Sequence, residues 1–407
     1  LSGKKTVLFV GGGIEAVPAL QLARRMGLCV VVSDKDPKAP GFAHADDGFV
    51  ASTYDVEATV EAAKRFARER GPIDGVLSCA VDVPVTVARV AQELGLHGLG
   101  LETARLSADK LAMKERFARD GVPIPWFCAV SSARQLEDIV GERGFELVLK
   151  PVDSRGSRGV LRLGEKIDLR WAYEHSSSCS PTGRVMVEQY LAGPQVSTES
   201  IVIGGIAHTP GFSDRNYELL EKFSPYFIEN GGELPSHLDE ATQNKVRALV
   251  QKAAASMGID NWVAKGDIVV HQGEPHVIEI AARLSGGYFS THEIPLNTGV
   301  STVESVIRLA VGESIDEEAL IPQYSRPVVQ RYLFAEPGRV VLAEGEAEAR
   351  AIEGIEEVVV SVKPGDVIHA PTNSTVRAAM VMAVGQSRKQ ALERAVRAVE
   401  TLKIRTE

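Results

Sequence analysis

Apolar and polar positions alternate in blocks along the first hundred residues. TVLFV (6–10) is a continuous apolar run of strand length, and GGGIEA leads from it into residues with helical apolar spacing through Met26. LCVVVSD (28–34) and DGVLSCA (74–80) repeat the strand pattern, while 55–70 and 83–94 repeat the helical one. The resulting β-α-β-α-β order predicts a parallel sheet with helices on its faces, an α/β domain over residues 1–106.

The pattern then changes. A short helical stretch at 102–106 precedes a helix opening at Ser107, read as its N-cap, and Gly121 ends that helix. VPIP leads into a small α+β unit at about 124–190: strand 126–130, helix from Ser131, strand 146–151, a Gly-rich loop, strand 160–163, helix 167–176 and strand 184–191. Strands at 196–203 and 205–212, a helix at 239–257 and a helix at 301–312 complete a larger unit, 107–325. From Pro327 strand-like runs dominate up to a terminal helix at 387–402 capped by Ser387, which predicts a β-rich α+β domain over 326–407.

Two strand-like runs, 262–270 and 276–282, flank HQGEP and predict a hairpin. A turn centred near Gly273 pairs 270 with 276, 268 with 278, and Asp267 with Glu279. Apolar Ile268, Val270, Ile278 and Ile280 are expected to face the core. Like charges directly opposite on neighbouring strands destabilise a sheet. Such a pair calls for a cation, and hard carboxylate oxygens suit magnesium. Alternation places Arg283 on the face of Glu279, so carboxylate, carboxylate and arginine share one surface. The competing reading is two solvated acids on a splayed hairpin.

Composition narrows the class. The chain has 407 residues, 44% hydrophobic and 24% charged, as in ordinary globular proteins, and length for two or three domains. A net charge of −9 argues against a general nucleic-acid partner. Cys29, Cys79, Cys128 and Cys179 show neither C-x-x-C pairing nor zinc spacing, and Cys29 and Cys79 read as buried thiols. With no disulfide framework, no secretory leader and no apolar run of about 18 residues, the expectation is a cytoplasmic protein without a membrane span.

Further segments carry chemistry. DSRGSRGV (153–160) is rich in backbone donors and suits a loop that closes over phosphates. Lys150 ends the apolar strand before it, where a buried ammonium calls for an anion. EQYLAGPQ (188–195) lies between two apolar strands as a hinge, and backbone beside an aliphatic wall can read a purine edge, with Gln195 or Glu199 placed for a ribose. GGGIEA with Asp34 matches the outline of a dinucleotide fingerprint, a weak match that also occurs in sheets binding no cofactor. Among the histidines, His292 beside Glu293 is the one nearest the candidate chemistry.

The order Lys110, Lys150, Gly-rich loop, E-x-Y-L hinge, Asp267, Glu279, Arg283 resembles the ATP-grasp superfamily, from about Lys110 to about Gly312. The resemblance implies a Rossmann-like N-terminal domain, an ATP-grasp domain with a lid subdomain, and ATP with magnesium or manganese as cofactors. It implies nucleotide contacts from Lys110, Lys150, Gly156, Ser157, Gly159, Glu188, Gln189, Tyr190, Leu191 and Gln195, and metal ligation by Asp267 and Glu279. Arg283 is then the catalytic residue that stabilises charge on the transferring phosphoryl group. The family's E-x-N-x-R motif reads here Glu279-Ile280-Ala281-Ala282-Arg283, without the Asn oxygen, and the usual ribose-binding Glu is Gln195.

Residues 282–300, 212–236 and the last 80 resemble carboxylate–amine ligases, including L-amino-acid ligases and related peptide-forming enzymes. This likeness implies substrate contacts from Arg215, Ser285, Gly286, Gly287 and His292, with Glu15 in the glycine turn. The partners it implies are a small-molecule carboxylate and an amine, in a homodimer. Three other readings are a carboxylase or formate- or bicarbonate-phosphorylating enzyme of the same fold, a non-catalytic nucleotide sensor (for which Ala281 is the clue), and a nicotinamide oxidoreductase.

Overall fold

A computed structural model describes residues 3–407. At the N-terminus the apolar runs form a four-stranded parallel sheet in the order Asp47–Val50, Cys29–Asp34, Thr6–Val10, Gly75–Leu77. Helices Val17–Arg25, Val56–Glu69 and Pro84–Leu94 cover it. The glycine turn after Thr6–Val10 is filled by the chain itself. Asp34 accepts the Gly12 N–H at 2.8 Å, the Gly41 N–H donates to Gly12 O at 2.7 Å, and a Cβ on Gly41 would lie 2.7 Å from Gly12 Cα. That packing leaves the fingerprint no cleft for a pyrophosphate. Cys29 and Cys79 are buried free thiols, as expected.

The Ser107 cap is placed differently. Ser107 lies inside helix Leu101–Ala108, and Asp109 caps helix Lys110–Arg119 through 3.0 Å bonds from Leu111 N and Ala112 N. Aspartate caps as well as serine does. The Ser107 hydroxyl is used elsewhere, accepting Ala282 N–H at 2.9 Å.

A second four-stranded sheet, Phe127–Val130, Val185–Gln189, Leu147–Pro151 and Leu161–Arg162, is antiparallel and carries helices Ala133–Arg143 and Leu169–Ser178. It buries its own core of Leu136, Leu149, Leu161 and Val187. These strands and helices fall in the stretch, about 124–190, where a lid is expected.

The central sheet has eight strands, in the order Glu274–Ala281, Trp262–His271, Gln195–Ile203, Ile206–Arg215, Gly232–Leu234, Val328–Leu333, Ala379–Val384, Ile355–Val360. The last three belong to the region expected as a separate C-terminal domain. Gly232–Leu234 pairs directly with Val328–Leu333, so no gap in the sheet marks residue 326. A three-stranded sheet and helix Arg388–Thr401 complete that end. Glu274–Ala281 is an edge strand, but its outer side is occupied. Val277 N–H donates to Pro123 O at 2.9 Å, Lys114 Nζ donates to Val277 O at 2.9 Å, and Ile280 N–H meets Met113 Sδ at 3.4 Å.

One core runs unbroken from the parallel sheet into the central one, joining Val76 and Leu77 to Leu284, Ile307 and Ala310. Trp262 lies in it, with its indole N–H donating to Ala282 O at 3.2 Å. The lid is tied to the central sheet at Gly193, where φ is +151° and a Cβ would lie 2.0 Å from Val270 O. Gly193→Ala is therefore expected to cost about 1–3 kcal/mol, read as a lower urea midpoint with unchanged slope.

Candidate active site

The hairpin brings the two acids together by a route other than the one predicted. Gln272 and Gly273, at φ 52° and 80°, form a two-residue turn, the backbone that matches strand twist. It pairs His271 with Glu274, Val270 with Pro275 and Ile268 with Val277, each one residue off the expected partner. A bulge between Asp267 and Ile268 then absorbs Ile278 and restores Asp267 opposite Glu279. The bulge also turns Ile278, expected in the core, into the wall of a cavity of about 310 Å³.

That cavity lies between the lid and the central sheet. Lys110, Lys150, Gly156, Ser157, Glu188, Gln189, Tyr190, Leu191 and Gln195 line it, with Asp267, Glu279 and Arg283. Each carboxylate of the pair already holds a cation. Lys110 Nζ lies 3.2 Å from Glu279 Oε1 and also donates to Ser154 O in the Gly-rich loop at 2.9 Å. Lys265 pairs with Asp267 Oδ2, and Ser197 Oγ donates to Oδ1 at 2.9 Å. Burial opposes ionisation of Asp267, but Lys265 and Arg215 outweigh it and hold the carboxyl well below the usual range. Lys265, two residues before Asp267, was readable from strand alternation and was overlooked.

Lys150 is buried, and its anion is Glu188, with Nζ 2.6 Å from Oε1. A second buried ammonium, Lys114, stands 3.0 Å from Glu188 Oε2. Burial lowers the Lys114 pKa to about 8 against the pull of Glu188, while both lysines keep Glu188 ionised below its usual value despite burial. Lys114 lies one helical turn after Lys110, a spacing that points both at one face. Removing one partner of a buried pair is costly, so Lys114→Met is expected to lose about 3 kcal/mol in urea unfolding.

The hinge spends part of its backbone within the lid. Gln189 N–H donates to Trp126 O at 2.8 Å and Tyr190 N–H to Glu146 O at 2.9 Å, leaving the backbone beyond Tyr190 to read a base. Val148, Val160, Leu191, Phe227, Val269 and Ile278 give the cavity an apolar portion suited to one. Glu199 is elsewhere. It is fully buried, accepts Ser285 N–H at 2.9 Å and Thr302 Oγ1–H at 2.5 Å, and so anchors the turn after Arg283.

Arg283 extends into the cavity with its Nε 3.8 Å from Asp82 Oδ1, and neither atom has a hydrogen-bond partner among the described residues. An orphaned, buried guanidinium N–H is a waiting donor for an anionic oxygen. Ser285, Gly286 and Gly287 continue the wall from it, and Arg215 lies opposite, bridged to Glu229 at 2.6 Å. Glu229 also meets Arg377 at 3.3 Å, and the Arg377 guanidinium stacks 3.6 Å from the Tyr332 ring centre. Sequence reasoning missed Glu229, Tyr332 and Arg377, which only the continuous sheet brings together.

Three expected contacts lie off the cavity. The backbone at Gly159 (φ +72°) packs so that a Cβ would sit 2.7 Å from Cys179 Cβ, making it a packing residue. Glu15 accepts Gly287 N–H at 2.7 Å and braces the wall from behind. His292 stacks edge-on against Tyr288 and bonds Thr291, while its neighbour Glu293 lines the cavity. The one-residue exchange comes from a π-turn, Phe289–Glu293, in which His292 and Glu293 both donate to Tyr288 O.

Comparison with known proteins follows this geometry. Three family models tile the chain: ATP-grasp N-terminal domain over residues 20–98, ATP-grasp domain over 107–287, and L-amino acid ligase C-terminal domain 2 over 331–407. The chain belongs to the ATP-grasp superfamily. Within it, the chain is 27% identical over 397 residues to the uncharacterized protein y4rH of Sinorhizobium fredii, covering 94% of this chain and 79% of that one. It is 27% identical over 209 residues to D-alanine–D-alanine ligase of Stutzerimonas stutzeri, covering 49% of this chain and 59% of the relative. The ATP-grasp architecture is shared with the crystal structure of L-amino acid ligase from Bacillus licheniformis, at TM-score 0.84 and 20% identity over the full length of both chains. Among the described residues no helix is long and apolar enough to cross a membrane.

Proposed function

We propose that this ATP-grasp protein is an ATP-dependent carboxylate–amine ligase. It transfers the γ-phosphoryl group of ATP to a substrate carboxylate, and an amine displaces phosphate to form an amide between amino-acid-like substrates. The observation that carries this reading is the shared cavity face of Asp267, Glu279 and Arg283, with an unpartnered guanidinium donor aimed inward.

Magnesium fits this donor set. Two carboxylates stand opposite each other beside lysines, and among the described residues no cluster of three or more His, Cys, Asp or Glu forms a closed protein cage. Magnesium typically takes one or two carboxylates and draws its remaining ligands from phosphate and water. Asp267 and Glu279 would hold it, and when bound it neutralises charge on the phosphates. Lys110, Lys150 and the 153–159 loop hold the phosphates, and the hinge with Gln195 holds the nucleoside. Arg283 orients the substrate carboxylate and steadies the acyl phosphate. The loop reaches across the cavity to both flanking units: Arg155 stacks on Tyr54 at 4.7 Å, and Ser374 N–H donates to Gly156 O at 3.1 Å. Closure there shields the acyl phosphate from water. The domain boundaries, homodimer and cytoplasmic location belong to the same proposal and rest on the resemblance.

The test is nucleotide product analysis with ATP and magnesium against the common L-amino acids, singly and in pairs. ADP and phosphate formed only with an acid and an amine together support the ligase. ADP formed with bicarbonate or formate instead supports the carboxylase-type alternative, and ATP binding without turnover supports the sensor.

A further inference from the structure

We propose that Glu293 is the base that takes a proton from the incoming amine, an inference that rests on the ligase reading above. An amino-acid nitrogen arrives as an ammonium and has no lone pair for attack until it loses a proton. In a cavity shut by the 153–159 loop, that proton needs a protein acceptor beside the acyl phosphate.

Glu293 meets the requirement by geometry. It is 3% exposed, sits in the π-turn that follows the Arg283 turn, and lines the same cavity as Arg283. Its Oε2 is buried without a hydrogen-bond partner among the described residues. The groups around it come from four elements. Ser213 and Arg215 lie on strand Ile206–Arg215, Glu229 precedes Gly232–Leu234, Tyr332 is on Val328–Leu333, and Arg377 precedes Ala379–Val384. Ser213 stands close enough to the carboxyl to favour its charged form. Both arginines are held in ion pairs by Glu229, at 2.6 and 3.3 Å, and Glu293 is the carboxyl left to receive a substrate. Burial, reinforced by Glu229, pushes its pKa up to about 7, where a base can both take and release a proton at neutral pH.

The ammonium N–H bond breaks and its proton goes to Glu293 Oε2, giving a neutral carboxyl. The freed nitrogen pair forms the C–N bond at the acyl phosphate carbonyl. The bond from the carbonyl carbon to the bridging oxygen then breaks, that oxygen leaves on the phosphate, and the departing phosphate carries off the second nitrogen proton. Because the working form is the carboxylate, amide formation is expected to rise as pH increases through about 7.

Hydroxylamine, uncharged at neutral pH, separates this role from a structural one because it attacks acyl phosphates without needing a base. Wild type and Glu293→Gln are compared with ATP, magnesium and a mixture of the common L-amino acids, with and without hydroxylamine. Glu293→Gln is expected to keep hydroxamate formation at the wild-type rate but to lose roughly 10²–10⁴-fold in dipeptide formation at pH 7. Raising the pH until the amine is itself neutral restores dipeptide formation, and Glu293→Asp retains part of the pH limb. Equal loss of hydroxamate and dipeptide would overturn the proposal in favour of a structural role, as would unchanged dipeptide formation. Absence of hydroxamate from the wild type would instead remove the ligase reading, and this proposal with it.

Discussion

Glu279→Gln is expected to reduce substrate-dependent ADP formation by roughly 10³-fold while leaving the fold in place. The amide keeps the size of the side chain but removes the charge that opposes Asp267 across the hairpin, and with it half of the carboxylate pair that would hold magnesium. Its one ion pair, to Lys110 at 3.2 Å, is partly solvated, so its loss costs about 1 kcal/mol or less. The variant should therefore unfold near the wild-type urea midpoint and fail in turnover. Normal turnover by Glu279→Gln would remove the metal assignment.

Arg283→Ala is the second large effect, expected at ~10²–10³-fold in kcat with little change in KM for ATP. The guanidinium makes one hydrogen bond within the protein, to Leu284 O at 3.2 Å, and its Nε is unpartnered toward the cavity. Its contribution is thus held for an anion that arrives with the substrate. Arg283→Lys should recover little, because an ammonium cannot present the planar pair of donors that a carboxylate or phosphoryl group accepts. Steady-state ADP release at saturating ATP measures both variants. A rise in KM for ATP at unchanged kcat would place Arg283 in nucleotide binding instead.

Much of this arrangement was legible in the chain because it is carried by local pattern. The β-α-β order, the lid strands and the two-residue alternation toward Arg283 follow from hydrophobic period alone. The hairpin shows where pattern stops. Asp267 does face Glu279, but through a tighter turn compensated by a bulge, two offsets that cancel at this position and nowhere nearer the turn. Neither a bulge nor a π-turn leaves a periodic trace, so the pattern places Ile278 in the core and gives no sign that Glu293 lines the cavity. Serine and aspartate cap about equally well, so propensity does not single out Asp109; the Ser107 hydroxyl is used at Ala282 instead.

Long-range assembly accounts for the remainder. Arg377, Tyr332 and Glu229 meet because the central sheet continues past residue 326 through Gly232–Leu234 and Val328–Leu333. Lys150 was correctly read as needing an anion, but a sequence window gave no reason to choose the carboxylate 38 residues away, Glu188, over a phosphate. In this structure Glu188 supplies an anion to Lys150, which still lines the cavity where the phosphates are proposed to bind.

The central claim is that the substrate carboxylate becomes an acyl phosphate on the Arg283 side of the cavity. The most direct test is to run the reaction with an amino acid labelled with heavy oxygen in its carboxylate and to analyse the inorganic phosphate by mass spectrometry. Transfer of one labelled oxygen into phosphate, matched to each amide formed, is the predicted result. Amide formation with unlabelled phosphate, or with the label in AMP, would contradict it.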